Sequence, residues 1–486
     1  MRQLTALDNQ FLALESRRNY GHVSGLAIYD PSTAPNGTLD VGDMCRLLSE
    51  RIHLIPPFRW KLAEVPLGID TPYWVEDEDF DLDFHVRELS LPPGADDRKL
   101  AEQVARIVAR PLDRARPLWE LYVIHGLPDG NVALLTKVHH AAIDGVSGAE
   151  LLTILLDTEP TGREIPPPKD GDHIGSRPNQ LEMLGRGILR APLQPLLGLR
   201  AVPRALPNVL DIPLVSEMPG AGLLASASKT AARVVGTDIL HGNEVLEYAP
   251  TRVPRTRFNG RISAHRRYAF GQLSLDTVKE VKNRFGITVN DVVVAACAGG
   301  LRRWLADRDE LPEDPLVAMV PVSVRAPEQA GTFGNRVSAM FVPIPTNEDD
   351  PATRLRRTHE ILDIAKTRHR ALPADLMQDF ARFVPAAVNA RAARLAFRVG
   401  TRRPAMNVVI SNVPGPRIPL YCAGARMEAN HPVSVITDGV GLNITVQSYM
   451  DHLDFGIVVD REQVDDAWPI LDALRDALRI YEECTA

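Results

Sequence analysis

The stretch 131–157, NVALLTKVHHAAIDGVSGAELLTILLD, decides the reading of the chain, because a strand pattern gives way to a helical one at a pair of histidines. NVALLTKVHH reads as an apolar strand, and AAIDGVSGAELLTILLD as a turn running into a helix. His139 and His140 therefore sit where a strand ends, a place from which side chains project into clefts. Successive strand side chains point to opposite faces, so the two imidazoles should face different ways and only one can lie at a reacting centre. Adjacency also argues against their sharing a metal. Asp144, followed by Gly145, suits a tight turn whose carboxylate points inward and orders the loop. A neutral imidazole with a pKa near 6.5 can take a hydroxyl proton and hand it to a leaving thiolate, a contribution of about 10²- to 10⁴-fold.

With 13 His and 33 Gly in 486 residues, HHxxxDG should arise by chance in roughly one such chain per thousand. Rival signatures are missing: there is no HExxH, no GxSxG and no GxxxxGK[ST], and HEILD at His359 lacks a second histidine.

Working outward, residues 1–157 alternate strand-like runs (GHVSGLAIYD, NVALLTKV) with helical ones (DRKLAEQVARIVARPL), which predicts a mixed α/β first lobe. Residues 158–254 read as a crossover, because eleven prolines between 160 and 220 forbid long regular elements. Periodicity resumes in 255–486, the second lobe, with RRYAFGQLSLDTVKEVKNRFGITVNDVVVAACAGGLRRWL, then three β-rich runs and a terminal helix from about Trp468 to Cys484.

The composition, 45% hydrophobic and 24% charged, is that of a soluble globular protein, and a net charge of −7 argues against a general nucleic-acid binder. Four scattered cysteines fit reduced thiols in a cytosolic compartment, with no structural zinc. The N-terminus carries Asp8 and Glu15 within its apolar stretch and reads as no signal peptide. No run of about 18 apolar residues occurs, so membrane contact is expected to be peripheral.

The chain resembles the wax ester synthase/acyl-CoA:diacylglycerol acyltransferase family of actinobacteria and related bacteria, in the chloramphenicol acetyltransferase and condensation-domain superfamily. LTALDNQFLALE is similar to that family's opening segment, DRARPLWELYVIHGL to its PLW block, HHAAIDG to its histidine motif and ITVNDVVVAACAGGLRRWL to its ND block. GTFGNRVSAMFVPIP, NVVISNVPGP and HPVSVITDGVGLNITVQSYMDHLDFGI resemble its C-terminal blocks. One departure is YGHVSGL, Tyr20 to Leu26, where the family has a Pro-Met pair before the histidine.

The resemblance implies a two-lobed, chloramphenicol acetyltransferase-like α/β fold with mixed sheets and the histidine motif at the lobe interface. It implies an O-acyltransferase with His140 as general base and His139 as its neighbour, using acyl-CoA as substrate and no cofactor or metal. Diacylglycerol would be the acceptor, giving triacylglycerol, with long-chain alcohols and wax esters beside it. No covalent acyl-enzyme is required. Asp144 would form a structural ion pair, with Arg59 the candidate partner by position. Pro117, Leu118 and Trp119 would support the site, and Glu15, Asn290, Asp291, Ser411 and Asn412 are substrate-channel candidates. Asn290 and Asp291 are also favoured helix caps, and SNVPGP after a strand also suits a plain turn.

From Phe380 to Met427 there is no acidic residue, where a stretch of that length would ordinarily hold about six, yet eight arginines occur. With Phe380, Phe383, Leu395, Phe397 and Val399 interleaved, part of it reads as a basic amphipathic helix suited to an anionic lipid surface or to coenzyme A phosphates. The expected location is the cytoplasm, at the inner face of the membrane or on lipid droplets. Two other readings stay open: a catalytically silent lipid-binding protein of the same fold, and an acyltransferase for polyketide or carrier-linked substrates.

Overall fold

The apolar run before the histidines is a central strand, flanked on both sides. In the computed structural model, which describes residues 2–66, 69–143, 148–167, 179–190, 253–323, 337–370 and 404–484, it lies in a six-stranded sheet. That sheet runs in the order Tyr421–Cys422 (β12), Ala425–Val433 (β13), His22–Asp30 (β2), Val132–His139 (β7), Trp119–His125 (β6) and Val86–Ser90 (β5). A second six-stranded sheet runs Val337–Ile344 (β10), Leu316–Ser323 (β9), Val408–Val413 (β11), Leu442–Tyr449 (β14), His452–Asp460 (β15) and Arg266–Ser274 (β8). Arg2–Gln3 (β1), Tyr73–Glu76 (β4) and Trp60–Ala63 (β3) form a small third sheet. The large sheets are mixed: β5 pairs parallel to β6, and β11 parallel to both β9 and β14, while the other pairings are antiparallel. The expected two-lobed α/β architecture is borne out.

Each lobe buries its own apolar helix faces. In the second lobe the helix Val289–Ala306 has 13 of its 18 residues buried, packed against the terminal helix Trp468–Glu483 and one face of the second sheet. Its all-round apolar surface is that of a core helix. Among the described residues no single helix is long and apolar enough to cross a membrane; Leu275–Phe285 with Val289–Ala306 passes only as a pair bent by 102°.

A third core joins the lobes. The helix Asp97–Val108, capped by Asp96, puts Leu100, Val104, Ile107 and Val108 against Leu135 and Leu26 of the first sheet, together with Phe270 and Val458 of the second. The chain itself crosses as well: β12 and β13, far past residue 255, complete the first sheet, with Leu26 opposite His431 and Ser24 opposite Val433. A boundary at residue 255 thus divides the sequence but not the sheets. Most of the proline-rich crossover expected at 158–254 lies outside the described residues.

Candidate active site

The backbone fixes the histidine pair before the side chains do. At the end of β7, the His139 N–H donates to Leu118 O at 3.0 Å and the His140 N–H to Gly21 O at 2.9 Å. His139 is paired in register with His22 of β2, and His140 opens the short helix His140–Ile143. The PLW block contributes here through main chain: Leu118 supplies the carbonyl, with Pro117 buried beside it. Trp119 is core, donating Nε1–H to Phe58 O at 2.8 Å and stacking on Phe58 and His85.

As the strand alternation predicted, the imidazoles find different surroundings. His140 stacks on the Phe11 ring, with centroids 4.6 Å apart and planes 12° from parallel. Burial, with the His139 ring adding to it, lowers its pKa to about 4, so it is a neutral acceptor at physiological pH. His139 is 1% exposed; its Nδ1 accepts the Ala141 N–H at 3.0 Å, and its Nε2 lies 3.2 Å from Glu15 Oε1. Burial raises the Glu15 carboxyl, but His139, the Gly21 N–H and Arg114 outweigh it and bring the pKa to about 2. The carboxylate takes the Gly21 N–H at 2.9 Å and the Arg114 Nη2–H at 2.7 Å.

Gly21 could not be another residue. A Cβ there would stand 2.5 Å from His139 Nε2. Behind the pair, on the same face of β7 as His139, Lys137 is wholly buried, donating to Arg110 O at 2.7 Å and to Glu120 Oε2 at 3.2 Å. Sequence reading singled out neither Gly21 nor Arg114; the nearest signal was the Tyr20–Leu26 departure, which begins one residue before Gly21.

The other expected residues fall into separate groups. Arg59 is ion-paired with Glu76 at 3.2 Å, and Asp144 and Gly145, its expected partner and the turn glycine, lie outside the described residues. Asp291 is a fully buried anchor: it forms a capping box with Thr288, takes a hydrogen bond with His359 Nδ1 at 2.8 Å and one from Lys366 Nζ at 3.3 Å. Asn290 Oδ1 accepts from Asn412 Nδ2 at 3.4 Å, which brings two of the channel candidates together, with Ser411 beside Asn412 in β11. Among the described residues no hydrogen bond or ion pair links this group to the histidines. Of the eight arginines between 380 and 427, Arg417 and Arg426 are described: Arg417 is exposed and Arg426 pairs with Glu428 at 3.5 Å. The other six lie outside the described residues.

The model of the wax ester synthase/diacylglycerol acyltransferase catalytic domain matches residues 4–293, and that of the WS/DGAT C-terminal domain matches residues 333–482. The chain belongs to the wax ester synthase/diacylglycerol acyltransferase family. The expected O-acyltransferase is thereby borne out. A Mycobacterium tuberculosis protein named as a diacylglycerol O-acyltransferase is 36% identical over 100% of this chain and 91% of its own length. The "O-acyltransferase WSD" of Acinetobacter baylyi is 32% identical over 99% of this chain and 97% of its own. Among solved structures, the wax ester synthase/diacylglycerol acyltransferase of Marinobacter aquaeolei VT8 superposes with a TM-score of 0.69 at 29% identity, covering 99% of each chain. A condensation domain of the calcium-dependent antibiotic synthetase shares the fold, with a TM-score of 0.55 at 16% identity. For this WS/DGAT family member, the histidine motif stands inside the catalytic-domain match.

Proposed function

We propose that this chain moves a long-chain acyl group from acyl-CoA to diacylglycerol, and likewise to long-chain alcohols, with His140 as general base and no covalent intermediate. The imidazole of His140, set at the end of a central strand and stacked on Phe11 in a chain of this family, is the observation that carries the reading. As the acceptor oxygen attacks the thioester carbonyl, His140 takes the hydroxyl proton and the carbonyl oxygen becomes an oxyanion. Collapse re-forms the C=O bond and breaks the C–S bond, and the imidazolium protonates the departing CoA thiolate. A base with a pKa near 4 does not hold that proton in advance of attack. It accepts it only as the oxygen loses electron density, and it returns it readily to the far more basic thiolate.

Both lipid substrates favour access from a surface. The helix Gln180–Arg190 supports a peripheral lipid contact: Met183 is buried against the small sheet, while Leu181 and Leu189 are 74% and 75% exposed beside the exposed Arg186. The test is transfer from labelled palmitoyl-CoA by purified protein to dioleoylglycerol or hexadecanol. We expect ester formation with release of free CoA, and a loss of roughly 10²- to 10⁴-fold in His140→Ala. Transfer to neither acceptor, or full activity in His140→Ala, overturns the assignment.

A further inference from the structure

We infer that Glu15, clamped by Arg114, is a positioning residue that sets the geometry of His140 through His139 and Gly21 rather than by touching substrate. The inference rests on His140 as the reacting base. Phe11 and Glu15 are four residues apart, so the helix Ala6–Leu14 and its C-cap present them on one face. Phe11 carries the His140 ring, and Glu15 meets the His139 ring. One short helix thus addresses both histidines.

The polar contacts form a closed circuit around His140. Its own N–H is held by Gly21 O at 2.9 Å. The next N–H, that of Ala141, is held by His139 Nδ1 at 3.0 Å. Both peptide groups flanking the His140 side chain are therefore fixed by residues that report to a single atom, Glu15 Oε1, which takes the Gly21 N–H at 2.9 Å and lies 3.2 Å from His139 Nε2. Because Nδ1 accepts from a backbone N–H, neutral His139 must carry its proton on Nε2, facing the carboxylate. That approach is too oblique for a full hydrogen bond, so its contribution is mainly electrostatic. The other oxygen, Oε2, is taken by Arg114 Nε at 3.1 Å and Nη2 at 2.7 Å, and Nη2 also donates to Leu12 O at 2.7 Å, at the end of the same helix. Both carboxylate oxygens are committed, which leaves Glu15 organised as a bracket rather than as a channel wall.

Glu15→Gln keeps the shape of the side chain but replaces one of its two acceptors with a donor, so either Arg114 or the Gly21 and His139 groups must lose their partner. With palmitoyl-CoA and dioleoylglycerol, we expect kcat to fall roughly tenfold or more and KM for palmitoyl-CoA to stay within about threefold. Arg114→Lys, which keeps the charge but loses the fork, should show a smaller loss of the same kind. Histidines labelled with 15N in the ring give a readout independent of turnover. His139 should show the Nε2–H tautomer in the wild type and a tautomer mixture in Glu15→Gln. A raised KM with kcat intact would overturn the inference and return Glu15 to the substrate path. An unchanged His139 tautomer would overturn it too. If Glu15→Gln fails to fold, Arg114→Lys carries both measurements. Should the wild type release no CoA, it is the acyl-transfer reading that fails, and the His139 tautomers still judge the bracket.

Discussion

A base kept neutral by burial does not depend on pH near neutrality, and this sets an expectation for His140. Its pKa of about 4 means that protonation removes the base only as pH falls through about 4, whereas a solvated imidazole would titrate near 6.5. The kcat/KM profile should therefore be flat from pH 7 to pH 5, with its acid limb below; an inflection near 6.5 that disappears in His140→Ala would show a hydrated ring instead. Stability moves differently. The unfolded chain protonates its histidines near 6.5 and the folded chain only near 4, so the unfolded state binds more protons between those values and stability falls as pH falls. His140 and His431, both lowered to about 4 chiefly by desolvation, should each remove on the order of 2 kcal/mol between pH 7 and pH 5. Urea unfolding at the two pH values tests this, and His140→Ala should remove its share of the difference. The histidines were legible in the sequence because their spacing with Asp-Gly is rare and a strand ends at them. Gly21 was not: its necessity comes from lying against a ring more than a hundred residues away, and no local pattern records that approach.

Individual elements were legible in kind but not in partner. GVGLNITVQSYM and HLDFGIVVD read correctly as β-rich, while the run that forms β13 was not read as a strand, and alternation tells which face of a strand is buried and not which sheet it joins. β13 lies beside β2 in the first sheet and crosses β15 of the second where Gly456 has no side chain; a Cβ there would stand 1.6 Å from Pro432 O. Helix ends show the same limit. Arg59 was the expected partner of Asp144, which lies outside the described residues; among the described residues of the first lobe the arginine buried in an ion pair is Arg51, at the end of the helix Val41–Arg51. It meets Asp157 Oδ2 at 2.6 Å, with both side chains 4% exposed. Arg51 also donates to Ile154 O and Leu155 O, closing the helix that follows the histidine motif, and Asp157 makes backbone bonds to Tyr421 of β12. Arg51→Ala would leave the buried Asp157 carboxylate with only the Arg163 guanidinium, 3.6 Å from its other oxygen, and we expect a loss approaching about 3–5 kcal/mol in chemical denaturation. Arg51→Met with Asp157→Leu should recover much of it, since no charge is then left buried. If the single and double variants lose the same amount, the arginine matters for packing rather than charge.

At the scale of the whole molecule, the second lobe reaches the histidines through the segment that links Glu15 to Gly21. The Asp438 N–H donates to Asn19 Oδ1 at 3.0 Å; its carboxylate accepts from Asn19 Nδ2 at 3.4 Å and from the Ile262 N–H at 3.0 Å. Arg266 of β8 donates to Arg18 O and lies over the Tyr20 ring, 5.3 Å from its centroid. Residues 16–20 are thus held on one side by the second lobe and end, on the other, at the atoms that bracket His140. Two lobes were legible from the interruption of periodicity after residue 157; this polar part of their joint was not, because it is built from single contacts between residues about 250 to 420 positions apart. The joint predicts a remote effect on chemistry. Asp438→Ala removes two acceptors, leaving the Ile262 N–H without its partner and Asn19 Nδ2 with Ser16 Oγ alone, a cost of about 1–3 kcal/mol that falls on this segment rather than on either main core. Amide hydrogen exchange at Asn19, Tyr20 and Gly21 should quicken while the cores stay protected, and kcat should drop severalfold with KM for acyl-CoA little changed, because a small misplacement of a base is felt in the rate and not in binding. Asp438→Asn, which keeps the side-chain carbonyl acceptor, should retain most of the rate. Normal exchange and normal kcat in Asp438→Ala would mean that the lobes are locked by their shared apolar core alone, with the Asn19 clamp idle.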